Sequence, residues 1–252
     1  MRLIAVVLLP VGLFTAFLWY RDSLVERTTI RLGGTVGRGQ LLPDFVSNVL
    51  RMKVGVGHGP VNFIDIRDVS IADAQLEFLS KAHQLHELQL VRVPITDEGL
   101  AHIAGLKRIT HLILGGTAVT DQGLEHLVEL TELRQLVLAD TRTSDAGLIH
   151  LIGLPKLRTL DLENTDVGDE GMDHVARITS LNTLSLRGTR VTDTGLLHLR
   201  SLVNLRSLDI DDTAISEKGV STLKSNIPGL VVNRKWLANT GIRTSEASSE
   251  SK

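Results

Sequence analysis

A segment of 24 residues repeats along most of this chain, and the repeat constrains the fold more than any other feature. Seven units follow one another without an internal gap, and they begin at Val61, Leu85, Ile109, Leu133, Leu157, Leu181 and Leu205. Apolar residues recur at the same places in every unit, and in the third unit these are Ile109, Leu112, Leu114, Val119, Leu124, Leu127 and Leu130. A fixed period of this length is typical of solenoid proteins, in which each unit packs on its neighbours.

The spacing of the apolar residues changes within each unit. Leu112 and Leu114 are two residues apart, which predicts a short strand with one buried face. Leu124, Leu127 and Leu130 are three apart, which predicts one apolar face of a helix. Between them the stretch TDQGL supplies a helix start, because a Thr or Asp side chain there can accept a hydrogen bond from a free backbone N–H. Each unit is therefore predicted to run strand, turn, helix and return.

A glycine follows each predicted helix start from the second unit to the seventh. These glycines are Gly99, Gly123, Gly147, Gly171, Gly195 and Gly219. Glycine inside a helix costs roughly 1 kcal/mol relative to alanine. Its regular recurrence predicts a close packing contact at this position.

The stacking of such units sets the overall shape. Neighbouring strands pair about 4.8 Å apart, whereas packed helices need about 8–10 Å between their axes. A stack with strands on one side and helices on the other must therefore curve. We expect an α/β solenoid of horseshoe shape, with a parallel β-sheet on its concave face and helices on its convex face.

The repeated pattern LxxLxLxxTxVTDxGLxHLxxL resembles the leucine-rich repeat, in the subclass whose helices begin with TDxGL. It is most similar to bacterial relatives of the cysteine-containing repeats of eukaryotic F-box adaptors, where Cys or Asn commonly occupies the turn after the strand. In this chain that turn position is held by Thr117, Thr141, Thr165, Thr189 and Thr213. The resemblance implies a binding scaffold. It does not imply a ubiquitin-adaptor role, because no F-box-like segment is evident.

The sequence divides into five regions. Residues 1–21 are a predicted signal anchor, 22–33 a linker, 34–60 an N-terminal cap, 61–233 the seven units with a terminal strand, and 234–252 a cap remnant with a polar tail. In the cap we expect a short helix after Pro43 and a strand in KVGVG. After the last unit, VVN predicts the terminal strand, with Trp236 covering the open end.

Residues 3–20 form an apolar segment of 18 residues without a charge, which is the lower end of what spans a bilayer as a helix. Arg2 precedes it, and Trp19, Tyr20 and Arg21 match an interfacial belt at its end. We expect a hydrophobic helix that makes this a single-pass membrane protein with its repeats outside the cytoplasm. A cleaved signal peptide, which would release a secreted form, is the alternative.

Composition excludes several classes of function. The formal net charge of -2 gives no electrostatic basis for binding nucleic acid, and the absence of cysteine excludes thiolate chemistry. Asp121 and His126 could be taken for an acid–base pair, but the same two residue types recur in five units, as capping and packing residues would. The stretch HQLHEL, from His83 to Leu88, lacks the second histidine of HExxH. We therefore predict no catalytic residue, no metal, no cofactor and no small-molecule substrate.

The concave face is the predicted binding surface, because its side chains vary from unit to unit while the framework does not. Val91, Ile113 and Val137 form an apolar part, and an acidic part follows towards the C-terminus. The complete set of candidate contact residues is Gln89, Val91, His111, Ile113, Gln135, Val137, Asp161, Glu163, Arg187, Asp209, Asp211 and Asp212. The alternative is a solvent-exposed sheet face whose side chains vary by chance and bind no partner.

The sequence thus favours a membrane-anchored, non-catalytic scaffold that binds a protein or peptide through its concave face. A structural envelope or spacer protein, or a solenoid that packs on its own copies, is the alternative. An enzyme is the third possibility, and no motif supports it.

Overall fold

Parallel strands stacked in chain order organise this protein. The computed structural model describes residues 4–8, 14–18, 34–37, 52–56, 61–68 and 70–233. Eight parallel strands run through the repeats, namely β5 (Val61–Arg67), β6 (Glu87–Val91), β7 (His111–Ile113), β8 (Gln135–Val137), β9 (Thr159–Asp161), β10 (Thr183–Ser185), β11 (Ser207–Asp209) and β12 (Val231–Asn233). Each pairs with its sequence neighbours, which confirms the predicted parallel sheet.

A helical segment lies between successive strands. The α-helices are Asp97–Ala101, Asp121–Leu124, Asp169–Val175, Asp193–His198 and Glu217–Asn226. The 3₁₀-helices are Asp73–Lys81, Glu125–Leu127, Asp145–Leu151 and Leu199–Ser201. Apolar residues spaced by three match the three residues per turn of a 3₁₀-helix as well as one face of an α-helix. The spacing is compatible with either geometry, and both occur among these helices.

The core lies between the sheet and the helices. In the third unit Leu112 and Leu114 from the strand side, and Leu124, Leu127 and Leu130 from the helix side, are all completely buried. Burial of one such side chain stabilises the fold by about 1.5–3 kcal/mol. The core repeats from unit to unit because the same positions are apolar throughout, apart from Thr143 in the fourth unit and Asn226 in the seventh.

An aspartate at the helix start of each of the first six units links that unit to the next. Thr120 caps its own helix, since its Oγ1 accepts a hydrogen bond from Gln122 N at 3.3 Å. Asp121 instead accepts hydrogen bonds from the backbone N–H of Ser144, at 2.7 Å, and from its hydroxyl. The same backbone contact to the following unit is made by Asp73, Asp97, Asp145, Asp169 and Asp193, and all of these except Asp145, which faces Gly168, also accept a hydroxyl. We name this set of six carboxylates the aspartate ladder.

The aspartate ladder also explains the repeated glycines. A Cβ atom built on Gly123 would lie 2.4 Å from Asp97 Oδ1, and one built on Gly195 would lie 2.4 Å from Asp169 Oδ1. The close packing contact predicted at these glycines is therefore with the carboxylate of the preceding unit.

The turn after each strand is built in the same way in successive units. The Oγ1 of Thr141 donates to the carbonyl oxygen of Leu138 at 2.6 Å, and the Thr residues 24 positions away make the equivalent bond. One residue before this position in each unit the backbone adopts positive φ, at Asp68, Arg92, Gly116, Asp140, Asn164, Gly188 and Asp212. Gly, Asn and Asp accept this left-handed conformation more readily than other residues, so they recur at this turn.

Two more strands extend the sheet before the first unit. Strand β4 (Met52–Val56) lies at the predicted KVGVG strand and pairs antiparallel with β5, and β3 (Gly34–Gly37) pairs parallel with β4. The helix expected after Pro43, residues 22–33 and residues 234–252 with Trp236 lie outside the described residues.

The apolar N-terminal segment differs from the predicted helix. It contains two strands, β1 (Ile4–Leu8) and β2 (Phe14–Leu18), which pair antiparallel. Pro10 and Gly12 stand between them, and both residues disfavour a helix, proline through its missing N–H and glycine through its backbone entropy. Within the described ranges, no helix is both long enough and apolar enough to span a bilayer.

Candidate interaction surface

Strand pairing aligns the candidate contact residues into columns. The sheet face is defined as the side chains at three positions of each unit, in the strand and just after it, that alternate with the buried leucines. Its first column is Glu87, His111, Gln135, Thr159, Thr183 and Ser207. Its central column is Asp65, Gln89, Ile113, Val137, Asp161, Ser185 and Asp209. Its third column, at the carboxyl ends of the strands, is Arg67, Val91, Gly115, Ala139, Glu163, Arg187 and Asp211. The sheet face corresponds to the concave face expected from the sequence.

The N-terminal part of the sheet face is a bonded polar network. Arg67 Nε donates to Asp65 Oδ1 at 2.6 Å, and Arg67 also donates to the side-chain oxygen of Gln89. Gln89 in turn donates to the carboxylate of Glu87. These side chains satisfy one another, so Gln89 is less free to contact a partner than the sequence suggested.

An apolar part follows. Val91, Ile113 and Val137 are each half-buried, and they occupy neighbouring strands with the small residues Gly115 and Ala139 beside them. The strand spacing of about 4.8 Å brings these side chains into one patch. This is the apolar part predicted from the sequence.

The acidic part begins at β9. Asp161 and Asp209 are half-buried, and each uses one carboxylate oxygen to accept a backbone N–H two residues later, from Glu163 at 3.0 Å and from Asp211 at 3.1 Å. Arg187 lies between acidic neighbours, with its Nε 3.6 Å from Glu163 Oε1 and 3.6 Å from Asp212 Oδ2. One cation therefore offsets part of the acidic charge, which the sequence alone did not indicate.

Asp211 corrects the predicted site. Its residue is only 2% exposed, whereas Asp212, the next residue, is exposed in the turn at φ 55°. Asp211 occupies the third column between neighbouring strands, and its carbonyl oxygen accepts the Gly188 N–H at 2.9 Å. We therefore assign Asp211 to the framework and Asp212 to the accessible surface.

The acidic part has a measurable electrostatic consequence. Burial raises the pKa of Glu163; Arg187 opposes this rise, while Asp161, Asp140 and Asp209 add to it. Asp140 was not among the candidate contact residues, although it holds the same turn position as Asp212 in an earlier unit. The turn position of the repeat was the signal that could have identified it.

The residues that resemble a catalytic pair are held apart by their own contacts. The carboxylate of Asp121 bonds Ser144 of the next unit rather than His126. Two of the histidines at the position of His126 lie near carboxylates on the helix side, with His150 Nε2 3.9 Å from Glu125 and His198 Nδ1 3.6 Å from Asp173. In the described part of the chain, no group of three or more His, Cys, Asp or Glu side chains could hold a metal ion.

Comparisons with known proteins agree with this architecture. A family model described as Leucine Rich repeat matches residues 153–176 and 177–200, which are two consecutive segments of one repeat length. The crystal structure of internalin C2 from Listeria monocytogenes shares the fold, with a TM-score of 0.54, 20% sequence identity, and coverage of 84% of this chain and 92% of that chain. An internalin F structure from the same bacterium matches with a TM-score of 0.46 and 21% identity, over 68% of this chain and 59% of that one. No curated protein matches.

The matched units and the stacked parallel sheet together support a leucine-rich repeat protein. In this chain the side chains of the sheet face vary between units, whereas the buried leucines beneath them repeat.

Proposed function

We propose that this chain is a non-catalytic scaffold that binds a protein or peptide through its sheet face. The observation that carries the proposal is the contrast between two sets of positions. The buried leucines, the aspartate ladder and the turn threonines repeat, whereas the central column changes from Gln89 to Ile113 to Asp161. Framework positions that repeat and surface positions that vary are what a solenoid needs to store binding specificity.

The chemistry of the sheet face defines the class of partner. An apolar patch of half-buried aliphatic side chains borders directly on a group of carboxylates, since Val137 pairs with Asp161, and Arg187 only partly offsets the charge of that group. A segment that presents an aliphatic or aromatic side chain close to Lys or Arg would complement both parts. We therefore propose a partner segment of this apolar and cationic character.

The test works with any partner of this character, because the protein itself selects its ligands. A displayed peptide library is selected on the full chain, and the enriched peptides are measured against two variants. Ile113→Asp places a charge in the apolar patch. Glu163→Gln with Asp212→Asn removes both carboxylates near Arg187, and Asn is tolerated at the positive φ of Asp212. Enriched peptides should carry apolar and basic residues, and each variant should weaken their binding at least about tenfold, the loss of about 1.4 kcal/mol.

Matched controls make the same chemical changes elsewhere. Ile149→Asp alters an isoleucine that is 50% exposed on the helix side, and Glu170→Gln with Asp166→Asn removes two other exposed carboxylates. Binding should survive in both. Peptides that bind all variants equally would remove the sheet face as the site, and a selection that enriches nothing would favour the spacer or self-packing alternative.

We also propose that residues 3–20 attach the chain to a membrane, with the repeats outside the cytoplasm. The support is the uncharged apolar composition of this segment between Arg2 and Arg21. Because the chain has no cysteine, Ser249→Cys gives a single labelling site. A membrane-impermeant maleimide should label it in intact cells, and membrane fractions should retain the protein; labelling only after lysis would place the repeats in the cytoplasm.

The TDxGL helix starts and the turn threonines support a finer proposal about ancestry. They favour the bacterial relatives of the cysteine-containing repeats as the nearest subclass, with Thr in place of Cys or Asn at the turn.

A further inference from the structure

A groove lies along the edge of the solenoid at the amino ends of β8 and β9, away from the sheet face. Its volume is about 440 Å³, and it is lined by Arg134, Pro155, Lys156, Arg158, Ser180, Asn182 and Asn204. Three of these residues are cationic and none is acidic. The groove therefore differs in charge from the acidic part of the sheet face, although both belong to neighbouring units.

The two arginines of the groove are direct neighbours across the sheet. The carbonyl oxygen of Arg134 accepts hydrogen bonds from the backbone N–H of Arg158, at 2.8 Å, and of Thr159, at 3.0 Å. Their backbones are thus separated by one strand spacing, about 4.8 Å. Two arginine side chains that start one strand spacing apart can both reach an anion that lies between them.

Other basic side chains on this edge already have acceptors. Lys107 Nζ lies 3.0 Å from Glu129 Oε2, and Arg108 Nη1 donates to Gln84 Oε1 at 2.6 Å. Arg206 Nη1 donates to the carbonyl oxygen of Val203 at 2.8 Å.

Arg134 and Arg158 differ from these side chains. Among the residues that the structure describes, neither guanidinium has a hydrogen-bonded acceptor, and both residues are exposed. A compensating charge beside the groove is Glu132, whose carboxylate accepts a hydrogen bond from Lys156 Nζ at 2.6 Å. That hydrogen bond lowers the pKa of Glu132, and Arg134 contributes to the decrease. Within the described part of the chain, Glu132 thus interacts with both Lys156 and Arg134, and no carboxylate forms an ion pair with Arg158.

We propose that Arg134 and Arg158, together with the one N–H of Lys156 that is not directed at Glu132, bind a tetrahedral, doubly charged oxyanion, the phosphate or sulfate group of a ligand. A carboxylate has two oxygens, which one guanidinium fork already satisfies. Two guanidinium groups from adjacent strands and a neighbouring ammonium group can together donate hydrogen bonds to the three or four oxygens of one tetrahedral group. The site lies on a different surface from the proposed peptide contact, so either can fail without the other.

The test observes the ligand directly. Inorganic phosphate is added to the full chain at pH 7.5 and low ionic strength, and the ³¹P line width is followed. The line should broaden with the native chain, and Arg134→Gln with Arg158→Gln should weaken binding at least about tenfold. Sulfate should displace phosphate, and acetate at the same ionic strength should not.

The control replaces two other exposed arginines, Arg142→Gln with Arg177→Gln, and should leave the broadening unchanged. Circular dichroism melts of all variants should agree with the native chain, because every replaced side chain is exposed. Three results would overturn the proposal. They are a ³¹P line of phosphate that does not broaden with the native chain, broadening that is unchanged when Arg134 and Arg158 are replaced, and displacement of phosphate by acetate as well as by sulfate.

A second arm identifies the source of the oxyanion. Phosphatidylcholine vesicles with and without phosphatidic acid are sedimented with the native chain and with the double arginine variant. A gain in sedimentation that needs both phosphatidic acid and the two arginines assigns the group to a lipid. Arginine-dependent phosphate binding without that gain assigns it to a soluble or protein-borne phosphate.

Discussion

At the scale of single residues, the repeated helix start is explained by one carboxylate. Asp193 accepts hydrogen bonds from the backbone N–H of Ser216, at 2.7 Å, and from its hydroxyl. The same carboxylate lies over Gly219, where the three atoms nearest an added Cβ are Asp193 Oδ1, Cγ and Oδ2, at 2.2, 2.7 and 3.3 Å. Asp193 and Gly219 are 26 positions apart in the sequence, and they form one packing contact between neighbouring units.

This pairing predicts that the effect of Gly219→Ala changes sign. In the native chain the new Cβ meets the Asp193 carboxylate, and overpacking of this kind costs about 1–3 kcal/mol. In an Asp193→Ala background the space is free, and alanine in the helix Glu217–Asn226 should stabilise the fold by up to about 1 kcal/mol. Urea unfolding of the four members of this double-mutant cycle measures both values.

Gly153→Ala is the matched control, because nothing lies within 4 Å of its added Cβ. It should change the free energy of unfolding by less than about 0.5 kcal/mol in either background. If Gly219→Ala destabilises both backgrounds equally, the contact with Asp193 is not the reason for the glycine.

At the scale of the element, the turn after β8 has two buried threonines with different roles. Thr141 Oγ1 donates to the carbonyl oxygen of Leu138 and lies 3.0 Å from the Oγ1 of Thr143. Thr143 is fully buried at a position where Val119 and Val167 stand in other units. Its hydroxyl therefore depends on Thr141.

A Thr→Val substitution should thus destabilise the fold at Thr141 but not at Thr143. Thr141→Val removes a bond to the strand and leaves the buried hydroxyl of Thr143 without its partner, which should cost about 1–3 kcal/mol. Thr143→Val restores the apolar residue of the other units and should be neutral or slightly stabilising. Thermal unfolding of the two variants measures this difference, and equal destabilisation by both would contradict it.

At the scale of the whole molecule, each unit contacts only its neighbours along the stack. The stability of such a solenoid is a sum of unit and interface terms, so a defect in the middle and a defect near an end should spread differently. Leu160 and Leu208 occupy equivalent strand positions, and both are fully buried. They form a matched pair for this comparison.

Leu160→Ala and Leu208→Ala should each cost about 2–5 kcal/mol locally. Hydrogen exchange with mass spectrometry should show reduced protection throughout the repeats for Leu160→Ala. The reason is that the units before and after Leu160 both lose stabilising contacts with the unit between them. For Leu208→Ala the loss should remain within the last two units. A uniform loss of protection in both variants would indicate that the repeats unfold together in one two-state transition rather than unit by unit.

The sequence by itself determined the repeat, the order of strands and helices, the buried leucines and the columns of the sheet face. These follow from local spacing, because a fixed period places Gln89, Ile113, Val137 and Asp161 side by side whatever the details of packing. It also indicated that the repeated glycines mark a close contact.

The tertiary structure decided which atoms meet between units. The partner of Asp121 is Ser144 rather than His126, Asp211 is buried while Asp212 is exposed, and Arg187 lies between two carboxylates. Such contacts change when the separation between units changes by a few tenths of an ångström, and they depend on the burial that packing creates. Sequence spacing does not carry that information, since residues far apart in the chain come together only when the solenoid is stacked.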